Sequence, residues 1–238
     1  MNSKHLILFA VLLLGFVYSC NSNDQAERLN YNELEENGFR SLLDNELSIW
    51  KGQISEDPRR ISEIMEGLHE SERLAVQREA NEVTFEHWYM QDEMLLYDGT
   101  SGIGNLETIS EFENFELILD WKIGPKGDSG IYLRNMPQVQ IWDPHHQGIG
   151  SGGLFNNNPK IDPIFTADKP VGEWNYMHIR MMKDTVWVTL NDLLVIDGEI
   201  QDNYWANFES PAFSVGPIVL QSHGTPLWFR NIYIKELN

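Results

Sequence analysis

From Phe85 onward apolar and polar residues trade places at nearly every second position. The runs "HWYMQDEMLLYDG", "FELILDWKI", "SGIYLR", "QVQIWD", "WNYMHIRMMKDTVWVTLNDLLVIDG", "GPIVLQSHG" and "LWFRNIYIKEL" are separated by Gly, Asn, Asp and Pro. Period two is that of a strand with one buried face. Strands at this spacing, with no helical segment between them, predict an all-β antiparallel sandwich or barrel. In "VTLNDLLVID", Asn191-Asp192 between two runs of strand formers predicts a hairpin turn. Upstream, from Glu56 to Glu82, Ile61, Ile64, Met65, Leu68 and Ala75 recur near helical spacing among many charges, and Asp57-Pro58 provides a start. One surface helix is expected there, a short insert over about residues 56–82.

The N-terminus follows a third pattern. "MNSKHLILFAVLLLGFVYSC" has Lys4 as a positive flank, an apolar run of twelve residues from Leu6 to Val17, and small Ser19 before Cys20. That run is too short for a helix to span a hydrocarbon core of about 30 Å, so residues 1–19 read as a signal peptide. The closing "VYSC" resembles a bacterial lipobox, which implies cleavage before Cys20 and lipidation of its thiol. Residues 20–40, polar through "NSNDQAERLNYNELEENG", would form a tether. The domain would then occupy residues 41–238.

Composition narrows the function classes. The formal net charge of −19 over 238 residues argues against a nucleic-acid partner, which needs a basic face to displace counterions. It argues equally against docking on anionic lipid through charge, so membrane contact would run through lipidated Cys20. Cys20 is also the single cysteine, which excludes an intramolecular disulfide and leaves no thiolate for catalysis or a zinc site once it is acylated.

The strand faces carry the candidate chemistry. In "FELILDWKI", Leu117, Leu119, Trp121 and Ile123 point one way and Glu116, Ile118, Asp120 and Lys122 the other. Ile131 and Leu133 oppose Tyr132 and Arg134, while Val139 and Ile141 oppose Gln138, Gln140 and Trp142. Further on, Gln221 falls with His223 and Trp228 with Arg230. A merely solvated face tends toward Lys, Glu, Ser and Thr. Planar amides, guanidinium and indoles suit a sugar, whose C–H faces take rings and whose hydroxyls take bidentate polar groups.

The ordered series "LLDNELSIWKG", "FELILDWKI", "GDSGIYLR", "VQIWDP", "GSGGLFNNN", "PVGEWNYMHI", "VTLNDLLVID" and "GPIVLQSHGTPLWFRNIYIKEL" resembles the 3-keto-disaccharide hydrolase family, from about Leu42 to Leu237 around the helical insert. The resemblance implies a concanavalin A-like jelly roll in a cell-envelope lipoprotein that cleaves 3-keto-glycosides by elimination and hydration. Two features depart from the pattern. Many members carry Glu where Gln138 stands, and Asn135 and Asn191-Asp192 replace glycine-containing turns. If that Glu is a base elsewhere, this chain must use another group or lacks the activity.

A C3 ketone acidifies the C2 proton, so the implied reaction needs a base near C2, an electrophile near O3 and an acid near the glycosidic oxygen. His146 and His223, with Asp120 and Asp143, are the expected catalytic groups, since imidazole titrates near neutrality. Glu116, Arg134, Gln138, Gln140, Trp142, His145, Gln221 and Arg230 are the expected substrate contacts. Glu116, Asp120 and Asp143 could alternatively help to bind a divalent metal, although no ligand spacing is diagnostic. Glu116 and Asp120 cannot form a two-carboxylate glycosidase dyad, because four strand residues span about 13 Å against the required separation of about 5 to 9.5 Å. Structural roles compete at several positions: Arg230 as an ion pair, His223 as a strand-end cap, Asp128-Ser129 as a turn, and Trp50, Trp88 and Trp174 as core. A carbohydrate-binding lipoprotein without catalysis is the competing function.

Overall fold

A computed structural model describes residues 30–202 and 213–238. The expected signal peptide and Cys20 lie outside the described residues. Thirteen strands follow in the order β1 (Arg40–Ser41), β2 (Trp50–Gly52), β3 (Trp88–Gln91), β4 (Met94–Tyr97), β5 (Leu106–Thr108), β6 (Phe115–Ile123), β7 (Asp128–Leu133), β8 (Gln138–Trp142), β9 (Asn175–Met182), β10 (Thr185–Leu190), β11 (Leu193–Ile200), β12 (Ile218–Leu220) and β13 (Leu227–Glu236). Among the described residues three α-helices interrupt them, α1 (Pro58–Met65), α2 (Glu70–Phe85) and α3 (Pro144–Gln147), and a 3-10 turn over Tyr31–Glu33 precedes β1. The larger sheet runs β11-β10-β9-β6-β13-β4-β3, with β1 also on β13, and the smaller runs β2-β5-β12-β7-β8. Every strand pairing is antiparallel. The molecule is an all-β antiparallel sandwich, one of the two forms that the alternation predicts, and it agrees with the jelly roll that the family resemblance implies.

One apolar core joins the sheets. Leu117, Leu119, Trp121 and Ile123 of β6 and Leu227, Phe229 and Ile234 of β13 belong to the same buried cluster as Ile131, Leu133, Val139, Ile141, Ile218 and Leu220 of the smaller sheet. Each fully buried side chain of this size stabilises the fold by about 1.5–3 kcal/mol. Because both sheets turn these residues inward, their alternate residues face outward on opposite sides of the sandwich.

The hairpin between β10 and β11 turns at Asn191 and Asp192, both with positive φ (49° and 69°), the backbone of a two-residue turn that matches strand twist. The helical insert differs from the single helix expected. Gly67, at φ 74°, separates α1 from α2, and Glu72 Oε2 accepts from the His69 backbone N–H (2.8 Å) to start the second helix. Helix α2 closes the edge of the smaller sheet: Gly52 N donates to Asn81 Oδ1 (2.9 Å), and Gln77 Nε2 donates to Gly52 O (2.8 Å). An open edge would invite pairing with another chain. Only glycine fits at this contact, since a Cβ on Gly52 would lie 2.5 Å from Ala80 O.

The packed region begins before Arg40. Leu34 and Phe39 are buried with Ile118 and Tyr176 on the outer face of the larger sheet, and Tyr31 and Tyr233 pack beside them. Residues 30–40, which read as the end of a polar tether, therefore include part of the fold, because Tyr31, Leu34 and Phe39 supply a cover for that face.

Candidate active site

The outer face of the smaller sheet carries three cross-strand rows of polar groups. Register places Lys51, Glu107, Val219, Tyr132 and Gln138 in the first row. Gln53, Asn105, Gln221, Gly130 and Gln140 form the second, and Asp128 pairs with Trp142 in the third. Gln138 Nε2 donates to Gln221 Oε1 (2.7 Å), Gln221 Nε2 donates to Tyr132 Oη (3.3 Å), and Asn156 Nδ2 donates to the same hydroxyl (3.2 Å). Gly130 makes room for this chain, since a Cβ there would lie 2.1 Å from Gln138 Nε2. At the sheet's far side burial pushes the Glu107 carboxyl up, with Lys51 Nζ 3.2 Å away pulling it down.

One histidine on this face has a carboxylate within ion-pair distance. His223 Nδ1 lies 3.6 Å from Asp128 Oδ2, and Gln140 Nε2 donates to Asp128 Oδ1 (2.8 Å), which fixes the carboxylate. The His223 side chain is 56% exposed and that of Asp128 is 23% exposed, so the dyad meets solvent. Beside it opens a cleft of about 310 Å³ lined by Glu56, Ser101, Gly102, Ile103, Ser222 and Gly224. Nδ1 is the ring nitrogen nearer Asp128. Asp128 had the sequence signature of a turn. Its partner is 95 positions away, and the available clue was that Asp128, Gly130 and Tyr132 share one strand face.

The other expected site residues fall into three groups. Trp142 is buried at the end of the face, its indole donating to Gly150 O (2.6 Å) and packing edge-on against Phe155. Asp143 caps α3, with Oδ1 accepting from His145 N (2.9 Å) and Oδ2 from Lys126 N (2.8 Å). Burial works in the opposite direction, but these N–H groups outweigh it and hold the Asp143 carboxyl below the usual carboxylate range. His145 and His146 are exposed on α3, beyond the end of β8.

Arg134 belongs to neither outer face. Its guanidinium is buried and donates to the carbonyls of Glu113 (3.1 Å), Ser214 (2.9 Å) and Lys183 (2.6 Å), and to Gln201 Oε1. It joins four loops, and a positive φ of 54° at the β7–β8 turn aims it there.

Glu116, Asp120 and Arg230 lie on the outer face of the larger sheet, across the core from His223. Asp120 accepts from Tyr31 Oη (2.6 Å), Arg230 Nε (3.0 Å) and Asn231 Nδ2 (3.0 Å). A register shift in the β6–β13 ladder after Arg230, with Asn231 at φ 53°, lets two successive side chains reach one carboxylate. Glu116 Oε2 lies 3.2 Å from His178 Nε2, and this contact holds its carboxyl below the usual range. Asp120 and Asp143 stand on different sheets and form no pair, nor do Glu116, Asp120 and Asp143 converge as a ligand set. Among the described residues, no group of three or more His, Cys, Asp or Glu side chains could hold a metal ion. Trp50 and Trp88 are core, as expected, whereas Trp174 is half-buried on this outer face beneath Arg230, 4.1 Å from guanidinium carbon to ring centroid.

Residues 38–235 match the family model of the 3-keto-alpha-glucoside-1,2-lyase-like domain. A 3-keto-disaccharide hydrolase of Bacteroides thetaiotaomicron is 26% identical over 204 residues, covering 63% of this chain and 70% of the relative. Two crystal structures of proteins named as glycosyl hydrolases from Parabacteroides distasonis are also similar. One superposes with a TM-score of 0.64 at 18% identity, covering 89% of this chain and 99% of the other, and supports the fold. The second has a TM-score of 0.52 at 26% identity over 64% of this chain and 91% of its own.

Proposed function

The chain belongs to the 3-keto-alpha-glucoside-1,2-lyase-like family, and from that premise we propose that it cleaves 3-keto-glycosides by elimination and hydration on the outer face of the smaller sheet. It is a carbohydrate-active hydrolase in this reading. The observation that carries the assignment is the Asp128–His223 dyad, braced by Gln140 and set among the amides of Gln138, Gln221 and Asn156.

His223 removes the C2 proton, which the neighbouring ketone acidifies, and Asp128 stabilises the imidazolium that results. The C2–H electron pair forms an enolate on O3. The enolate collapses to a C1=C2 double bond as the C1–O bond breaks, and the leaving oxygen takes a proton from an acid. Water adds to C1 and a proton returns to C2, so the net change is hydrolysis without redox. The amides hold sugar hydroxyls by donating and accepting together. Gln138 is neutral and cannot act as a base. Asp128 lies on the adjoining strand of the same face but two cross-strand rows away, about 13 Å along the strand, so in this reading the base works from a different point of the face.

Incubation with a 3-keto-glycoside and its unoxidised parent, with and without EDTA and added divalent metals, tests the reading. Cleavage of the keto sugar alone, lost in His223→Ala, is expected. Sugar binding without cleavage of either compound would leave the non-catalytic carbohydrate-binding reading. The proposal places the protein in the bacterial cell envelope, anchored through lipidated Cys20. Incorporation of an alkyne-tagged fatty acid in the producing cell, absent in Cys20→Ser, tests that part independently.

A further inference from the structure

The opposite face of the sandwich has a feature that the proposed reaction does not use. Tyr89 on β3 pairs with Leu96 on β4, Leu96 with Trp228 on β13, and Trp228 with Lys122 on β6. Trp174 continues the row, since the next residue, Asn175, pairs with Trp121. The row crosses five strands of the larger sheet, about 19 Å at the usual strand spacing. Its three aromatic residues stand two strands apart, about 10 Å from one to the next. That step is close to the disaccharide repeat of an extended glycan. Tyr89 is exposed, and Leu96, Lys122, Trp174 and Trp228 are half-buried.

Lys122 sets the charge of the row. Its ammonium lies 4.7 Å from the centroid of the Trp228 ring and 5.0 Å from that of Trp174. Indole faces attract and position a cation without neutralising it. The neighbouring Arg230 has its counter-charge in Asp120, 3.0 Å away, whereas Lys122 has no carboxylate within ion-pair distance among the described residues. The net charge of −19 would repel a polyanion at long range, but at physiological ionic strength charges beyond about 8 Å are largely screened. The local field at the row is that of a ring-framed cation.

We propose that this row is a second carbohydrate-binding surface for an acidic glycan, in which the carboxylate of a uronic-acid-type residue meets Lys122 and neighbouring sugar faces lie against Trp228 and Tyr89, while Trp174, whose ring already carries the Arg230 guanidinium, frames Lys122 from the other side. It lies across the core from His223, so it would hold a polymer without occupying the candidate active site.

Electrophoresis of the protein through gels containing polygalacturonate or neutral dextran tests the proposal. Wild type and His223→Ala should be retarded by polygalacturonate and not by dextran. Lys122→Gln, which keeps the length of the side chain largely intact, and Trp228→Ala should each weaken retardation about tenfold. A thermal melt of each variant separates loss of binding from loss of fold, and Trp228→Phe replaces Trp228→Ala if the latter unfolds. Absence of retardation, equal retardation by dextran, retention in Lys122→Gln, or loss in His223→Ala would overturn it. None of these results depends on whether 3-keto-glycosides are cleaved.

Discussion

The two outer faces of the sandwich have similar polar composition and opposite organisation. On the larger sheet the charges near the centre satisfy one another: Asp120 takes Tyr31, Arg230 and Asn231, and Glu116 takes His178. On the smaller sheet the amides form a chain, and the one carboxylate beside a histidine leaves that imidazole more than half exposed. Composition alone therefore does not locate a site. A closed set of ion pairs consumes its own hydrogen-bonding capacity, whereas a braced dyad directs some of it outward.

The largest effect should separate the faces by activity. His223→Ala is expected to lower kcat about a thousandfold, within the usual range for loss of a general acid–base group, while His178→Gln on the opposite face should stay within a few fold. Both are read from initial rates on a 3-keto-glycoside. A comparable loss in His178→Gln would move the site to the larger sheet.

That comparison also shows how far the sequence could be read. Alternation in "FELILDWKI" and the Asn191-Asp192 turn gave the strands and the hairpin correctly, because both signals are local. Alternation assigns a residue to the outer face but not to one of two sheets. Asp120 and Asp128 look outward on opposite sides because the chain crosses from β6 in one sheet to β7 in the other. The Asp128–His223 contact and the gathering of four loops on Arg134 are long-range facts of the same kind. The split of the insert into two helices was more accessible, since Gly67 stands where the helix breaks.

The next effect is on stability and belongs to the closed face. Asp120→Ala should cost about 1–3 kcal/mol by removing the buried acceptor shared by Tyr31, Arg230 and Asn231, and urea unfolding measures it. Activity at saturating substrate should change little. A stable variant without activity would show that this carboxylate does more than hold β6 to β13. Gly130→Ala should come third, at about 1–3 kcal/mol, because its Cβ would lie 2.1 Å from the Gln138 amide. Here KM should rise with the loss of stability, since the displaced amide belongs to the proposed sugar-binding chain. An unchanged KM would remove Gln138 from substrate contact.

The smallest effect sharpens the boundary between site and scaffold at Asp143. Its oxygens accept from His145 N and Lys126 N, which is the work of a helix cap, and Asp143→Ala should cost about 1 kcal/mol at pH 7. The carboxyl is held below its usual range in the folded protein. Folding therefore favours its charged form, and the contribution is fully present above the unfolded value of about 3.9 and fades as pH falls through the lower folded value. Urea titrations at pH 7 and in stronger acid should show the gap between wild type and Asp143→Ala closing as the solution is acidified. A gap of constant size would mean that the protonated side chain caps α3 as well as the charged one. Loss of kcat without any such gap would return Asp143 to the catalytic group.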